Sequence, residues 1–187
     1  MDTQITPKAA VNRRGLLTIT FSGTYSTSGN SVDCDLTGNA SWSSGIFDGV
    51  NSPAVGSDFI GMAWSGGFEG LNPSASATFQ NGNSQNVYLA DASANAGRVW
   101  SFDEYWNVAG KYTLYVNNVD VSTTLHKNHM NGGENKAEAI LKYIHTYQAA
   151  TGGVSITASS SGIGSGFTLN GTSKQWDLSC IVTGIPY

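Results

Sequence analysis

Alternation of apolar and polar residues with a period of two most restricts what this chain can fold into. Leu17, Ile19 and Phe21 are separated by threonines, and segments 32–36 and 176–182 repeat the same pattern. Successive side chains of a β-strand point to opposite faces of a sheet, so each segment reads as a strand with one buried face. The chain is therefore expected to be built mainly of antiparallel strands.

The composition supports this expectation. Charged residues make up 12% of the chain, whereas an average soluble protein has about 25%. Coiled coils, helical bundles and charged helical enzymes of the cytosol are excluded, because their surfaces consist of Glu, Lys and Arg. Disorder is excluded as well, since aromatic residues make up 11% of the chain and favour collapse.

Further short strands and one hairpin follow from the same pattern. The additional strands are predicted at 59–64, 76–80, 86–89 and 98–102. Asn117 and Asn118 separate two more alternating segments, and asparagine tolerates the left-handed conformation of a two-residue turn. These two residues are therefore predicted to form the tip of a hairpin.

One segment has the periodicity of a helix. Ala137, Ile140, Leu141 and Ile144 follow the i, i+3, i+4, i+7 spacing of a single apolar stripe. This spacing predicts one α-helix at about 134–150. The predicted fold is thus mainly β: an antiparallel β-sandwich or barrel of about eight to ten short strands, with that helix packed on it.

The domain organisation is predicted to be simple. Residues 1–14 are polar and read as an extended N-terminal arm, and 15–187 form a single β-rich domain. Cys34 and Cys180 both lie in alternating apolar segments, which favours free buried thiols over a disulfide. We find no secretory signal and no apolar run long enough to span a membrane. We expect synthesis in the cytoplasm.

Charge and spacing argue against several activities. The net charge is −4 without a basic stripe, so binding to nucleic acid is not expected. Ser65 lies in a Gly-rich variant of the nucleophile elbow, but no helix can follow it. His126 and His129 lack the spacing of a metal-binding helix, and His145 falls on the polar side of the predicted helix. We therefore predict a protein that is not an enzyme and uses no metal or other cofactor.

An aromatic and acidic segment offers a binding hypothesis. Asp103 and Glu104 are adjacent carboxylates and should point to opposite faces of a strand, which does not suit a glycosidase. Aromatic rings can stack on sugar rings while carboxylates bind hydroxyl groups. Asp103, Tyr105 and Trp106 are thus candidate glycan-binding residues of a carbohydrate-binding module or lectin.

The leading hypothesis from sequence is a structural role. A surface of hydroxyl, amide and glycine groups lacks the charge repulsion that keeps proteins monomeric. We therefore expect a non-enzymatic subunit of a large symmetric assembly, most simply a virion component of the phage tail-tube, decoration or capsid type. Its partners would be copies of itself and other assembly proteins, and it would end in a virion or other extracellular particle. The candidate contact residues are Lys8, Arg13, Arg14, Asn117, Asn118 and His129.

Overall fold

A computed structural model describes residues 5–43, 56–110, 112–128, 135–146, 152–157, 165–171 and 175–187. These residues form fourteen strands and no α-helix, so the prediction of a mainly β fold is confirmed. The strands are β1 (Ile5–Arg14), β2 (Leu17–Ser28), β3 (Ser31–Trp42), β4 (Ser57–Trp64), β5 (Glu69–Phe79), β6 (Ser84–Gln85), β7 (Tyr88–Ser93), β8 (Gly97–Asp103), β9 (Tyr105–Val108), β10 (Tyr112–Asn128), β11 (Lys136–Thr146), β12 (Val154–Thr157), β13 (Gly166–Leu169) and β14 (Gln175–Pro186). Strands are more numerous than predicted and several exceed ten residues.

Two open antiparallel sheets pack face to face. The larger has the order β1-β2-β3-β10-β5-β6, with β9 paired to β10, and the smaller has the order β14-β11-β4-β8-β7. Side chains from both sheets meet in one apolar core, in which the rings of Trp42 and Tyr143 lie 5.6 Å apart, edge to face. The architecture is therefore a β-sandwich.

The alternating segments place their apolar residues in this core, as predicted. Leu17, Ile19 and Phe21 are at most 2% exposed, and the apolar residues of 32–36 are fully buried. In 176–182, Leu178, Cys180 and Val182 are buried, while Trp176 is half-buried.

A second, smaller layer covers the outer side of the five-stranded sheet. β12 and β13 pair antiparallel as a two-stranded sheet of their own. Phe167 and Leu169 of β13 pack against Phe59, Val99 and Ile144. The middle of the five-stranded sheet is consequently buried on both faces.

This second layer explains why the predicted helix at 134–150 is wrong. The described part of that segment, 135–146, contains β11, whose Leu141 and Tyr143 face the core between the sheets. Ile144 lies on the opposite face, beneath Phe167. A strand with apolar residues on both faces can imitate the spacing of a helical stripe.

The predicted hairpin at Asn117–Asn118 is also wrong, because β10 runs without a turn from Tyr112 to Asn128. The buried positions are even-numbered before the two asparagines (Leu114 and Val116) and odd-numbered after them (Val119 and Val121). The pairing of β10 with β5 shifts its register between Val116 and Asn118. The asparagines therefore mark an irregularity within one strand, where an extra residue shifts the side-chain alternation.

The predicted arm is described from residue 5 onward, where it forms β1 and pairs antiparallel with β2. The side chain of Asn12 also donates a hydrogen bond of 2.8 Å to the Ser179 carbonyl of β14. Cys34 and Cys180 are both free and buried, as predicted. No helix in the described ranges is long and apolar enough to cross a membrane.

Candidate functional site

A sharp corner between β8 and β9 organises the candidate site. Asp103 ends β8, Tyr105 begins β9, and Glu104 lies between them. Asp103 is exposed, Tyr105 is half-buried and Glu104 is only 1% exposed. The Glu104 carbonyl accepts a 2.8 Å hydrogen bond from the backbone of Val116, which fixes the corner to β10. One corner therefore carries an outward and an inward carboxylate, as the alternation predicted.

The outward side of the corner borders a groove of about 240 Å³. The lining residues are Ser84, Gln85, Asn86, Tyr88, Asp103, Tyr105 and Trp106. Trp106 is 56% exposed and Tyr88 is 58% exposed, which is high for large aromatic side chains. The Trp106 ring lies 6.3 Å from the ring of buried Phe79 and is tilted by 32° to it. The structure thus brings all three predicted glycan-binding residues to one groove.

Hydrogen bonds hold the polar groups of this groove in place. Ser57 donates to Oδ1 of Asp103 at 2.8 Å, and the Gln85 side chain donates to the Asp103 carbonyl at 3.0 Å. The Gln85 side chain in turn accepts a hydrogen bond of 2.9 Å from the backbone of Asn86. The exposed carboxylate and amide groups therefore have defined positions beside the two exposed rings.

A second groove, of about 290 Å³, lies on the outer face of the seven-stranded sheet and is lined mainly by serine and threonine. Some of its polar groups bind one another: the hydroxyl oxygens of Ser22 and Thr37 lie 2.7 Å apart, and the Asn39 side chain donates to Oδ1 of Asp120 at 2.7 Å. Four of the polar side chains that line this groove are therefore already hydrogen-bonded within the sheet.

The structure describes the side chains of four of the six predicted contact residues: Arg13, Arg14, Asn117 and Asn118. The Arg14 guanidinium lies 4.5 Å from the ring centroid of Trp176, and Arg13 donates to the Gly15 carbonyl. Asn118 binds Asn39 and Asp120 within the sheet. Asn117 is half-buried in β10. The Lys8 side chain and His129 lie outside the described parts of the chain.

Beneath the corner, on the core side, lies a cluster of buried polar groups: Asp58 of β4, Glu104, and Tyr143, His145 and Thr146 of β11. His145 Nδ1 contacts Asp58 Oδ2 at 3.0 Å and also contacts Glu104 Oε1. The Tyr143 hydroxyl donates to Asp58 Oδ2, and the Thr146 backbone donates to Asp58 Oδ1 at 2.9 Å. Asp58, Glu104 and His145 are the group in the described chain that could hold a metal ion.

Burial and proximity perturb these groups strongly. Burial, and then the adjacent Asp58, raise the pKa of Glu104 to about 9. Burial alone would lower the pKa of His145, but its hydrogen bonds to Asp58 and Glu104 outweigh this effect and raise it to about 10. Burial also raises the pKa of Tyr143 well above its ordinary value, so its hydroxyl stays a hydrogen-bond donor.

The sequence interpretation missed this cluster, although a signal was present. Asp58 is two residues before Ile60 and His145 is four residues after Leu141, so in a strand each lies on the same face as a core residue. Titratable residues at core-facing positions of strands are unusual. The predicted helix concealed the signal, because it assigned His145 to a polar face.

Comparisons with known proteins do not identify the chain. No protein-family model matches it, and no curated protein matches it. Among solved structures, the KRT10-binding region domain of the pneumococcal serine-rich repeat protein PsrP is similar to 76% of this chain, over 86% of its own length. The sequence identity is 10% and the TM-score is 0.32, values that support no inference about this chain.

Proposed function

We propose that the chain binds carbohydrate in the groove beside the 103–105 corner. The observation that supports this most is the placement of two exposed rings, Trp106 and Tyr88, in one groove with the carboxylate of Asp103. Large exposed aromatic side chains grouped with fixed polar groups are typical of ligand-binding surfaces.

The chemistry of the groove suits a neutral sugar. The aromatic faces can pack against the apolar face of a pyranose ring, while Asp103, Gln85 and Asn86 offer partners to its hydroxyl groups. Among the described residues only Ser57 donates a hydrogen bond to the Asp103 side chain, which leaves Oδ2 for a ligand. The groove is smaller than the 300–1,000 Å³ or so of cavities for drug-sized ligands, so we expect it to bind a short part of a glycan.

A glycan array followed by titration of the best ligand tests the proposal. Trp106→Ala should weaken binding about tenfold, the equivalent of about 1.4 kcal/mol, because the stacking surface is lost. Asp103→Asn should weaken binding to a glycan whose hydroxyl donates to the carboxylate. Ile181→Ala is the matched control, since Ile181 is 50% exposed but lies on β14, at the opposite edge of the five-stranded sheet from Tyr88.

Two results would count against this function. One is the absence of binding to every glycan on a broad array. The other is binding that Trp106→Ala and Ile181→Ala weaken equally, because such a ligand does not use the groove.

Self-assembly is a second proposal, supported by a different surface. β1 and β14 are edge strands of the two sheets and lie side by side. Val11 of β1 is 66% exposed and Ile181 of β14 is 50% exposed. Edge strands offer backbone groups to a further strand, and apolar side chains favour contact between copies. In full, we propose that the chain is a virion component or another assembly subunit, which is made in the cytoplasm and used in an extracellular particle.

Light scattering at increasing protein concentration tests this second proposal. We expect oligomers that Val11→Asp disrupts, because a charge on the contact surface opposes association. Leu89→Asp is the control, since Leu89 is 57% exposed but lies on the opposite edge strand β7. A monomer at every concentration would exclude this role. Neither proposal includes catalysis.

A further inference from the structure

Three adjacent strands bring the ligand-type atoms of the buried cluster together. β11, β4 and β8 are neighbours in the five-stranded sheet and supply His145, Asp58 and, just after the end of β8, Glu104. Their ligand atoms all lie within 4.8 Å of one another. Asp58 and Glu104 are 0% and 1% exposed, and the His145 side chain is 9% exposed.

Among the described residues, one oxygen of this cluster, Oε1 of Glu104, is left without a regular hydrogen bond. One ring nitrogen, Nδ1 of His145, carries at most one hydrogen but contacts oxygens of both Asp58 and Glu104. Glu104 Oε1 is buried and accepts no hydrogen bond of regular geometry from the described residues. Two buried carboxyl groups at this separation need a shared proton or a positive charge between them. The single hydrogen on Nδ1 of His145 can be donated to only one of them at a time.

We propose that Asp58, Glu104 and His145 bind one divalent transition-metal ion, with Zn²⁺ as the best match to these ligands. Zinc accepts carboxylate oxygen and imidazole nitrogen together, whereas Mg²⁺ and Ca²⁺ prefer ligand sets made only of oxygen. Two carboxylates balance the charge of the ion, and the imidazole binds as a neutral ligand. This differs from the expectation from sequence, which included no metal.

The distances fit such an ion after small movements. Tetrahedral ligands at zinc bond lengths lie about 3.3 Å apart, and His145 Nδ1 and Asp58 Oδ2 are 3.0 Å apart. The Glu104 carboxylate is in closer contact with the imidazole and has to move further. Tyr143 and Thr146 already donate hydrogen bonds to Asp58, the kind of outer contact that orients a metal ligand.

An ion at this position would connect the core to the groove. Glu104 lies between Asp103 and Tyr105, which line the groove, so a bond to Glu104 would hold the corner that carries both residues. The metal site itself does not depend on the proposed sugar binding and is tested without any glycan.

The experiment measures zinc binding by the tag-free full chain. Calorimetry with chelator-treated protein should show one Zn²⁺ per chain, and Mg²⁺ or Ca²⁺ at the same concentration should not compete. Glu104→Gln preserves the shape of the side chain and should weaken zinc binding at least tenfold. Asp33→Asn is the matched control, because Asp33 and His126 form an imidazole–carboxylate pair on the exposed outer face.

A second measurement keeps the test decisive if Glu104→Gln does not fold. The chain has three histidines, and NMR of ¹⁵N-histidine-labelled wild-type protein reports on each of them. Zinc should shift the ring resonances of His145 and leave those of His126 unchanged. The proposal is overturned if the wild-type protein binds no zinc, if Glu104→Gln binds it as tightly as wild type, or if the shifts occur at His126 or His129.

Discussion

Replacing Gly70 by alanine should destabilise the protein strongly, because the added methyl group meets a rigid ring. A Cβ atom on Gly70 would lie 2.5 Å from Cζ2 and 2.6 Å from Cη2 of Trp64. Trp64 is fully buried, and its indole nitrogen donates a 2.9 Å hydrogen bond to the Phe68 carbonyl. The ring therefore cannot turn away without losing core contacts and this hydrogen bond.

The backbone of Gly70 cannot move away easily either. Its N–H donates to the Ala94 carbonyl at 2.7 Å, and its carbonyl accepts a 3.1 Å hydrogen bond from Arg98. Overpacking of a core typically costs about 1–3 kcal/mol. Because both partners are fixed, we expect a cost at the upper end, about 3 kcal/mol. For a chain of this length, that cost corresponds to a fall in Tm of roughly 6–12 °C.

Urea denaturation and thermal unfolding measure the effect. Gly153→Ala is the control, since its Cβ would meet nothing within 4 Å; it should leave stability unchanged or raise it by up to about 1 kcal/mol. In a double-mutant cycle, Trp64→Phe removes the two clashing atoms, so Gly70→Ala should cost at least about 1 kcal/mol less in that background. A Gly70→Ala protein within about 0.5 kcal/mol of wild type would refute the packing described for Trp64.

Three further predictions concern the thiols, the outer face and the core. Burial raises the pKa of Cys34 to about 12 and that of Cys180 to about 11, so a thiol reagent should modify both only after unfolding; fast labelling of the native protein would contradict this. The hydrogen bond to Asp33 raises the pKa of His126 above its ordinary value. The pair therefore stabilises the fold fully below about pH 6.5, and this stabilisation is lost as the pH rises through the pKa of His126 in the folded protein. Asp33→Asn should lower the pKa of His126 in an NMR titration. A titration that Asp33→Asn leaves unchanged would exclude the pair. Leu141→Ala should cost about 2–5 kcal/mol in urea denaturation, because Leu141 is fully buried between the sheets; a cost below about 1 kcal/mol would contradict the placement of β11.

Local patterns were sufficient where one face of a strand is buried and the other is exposed. The strands containing Ile19, Cys34 and Cys180 were predicted for this reason, and so was the opposite orientation of Asp103 and Glu104. Patterns were misleading where burial does not follow a single face. Ile144 is covered by Phe167, a contact that no local spacing reports.

The residues of the groove were likewise only partly predictable from sequence. The aromatic and acidic residues of the groove are close in sequence, so Asp103, Tyr105 and Trp106 could be identified together. Tyr88 joins them only because β7 pairs with β8.

The sequence by itself determined the β class, the low charge and the inward residues of the strands that contain Ile19, Cys34 and Cys180, because these depend on composition and on neighbours two residues apart. Only the tertiary structure decided that Asp58, Glu104 and His145 meet, since they come from three strands that pairing aligns in one sheet. Contacts between residues far apart in the chain depend on strand order and register, and the alternation within one strand contains no information on either.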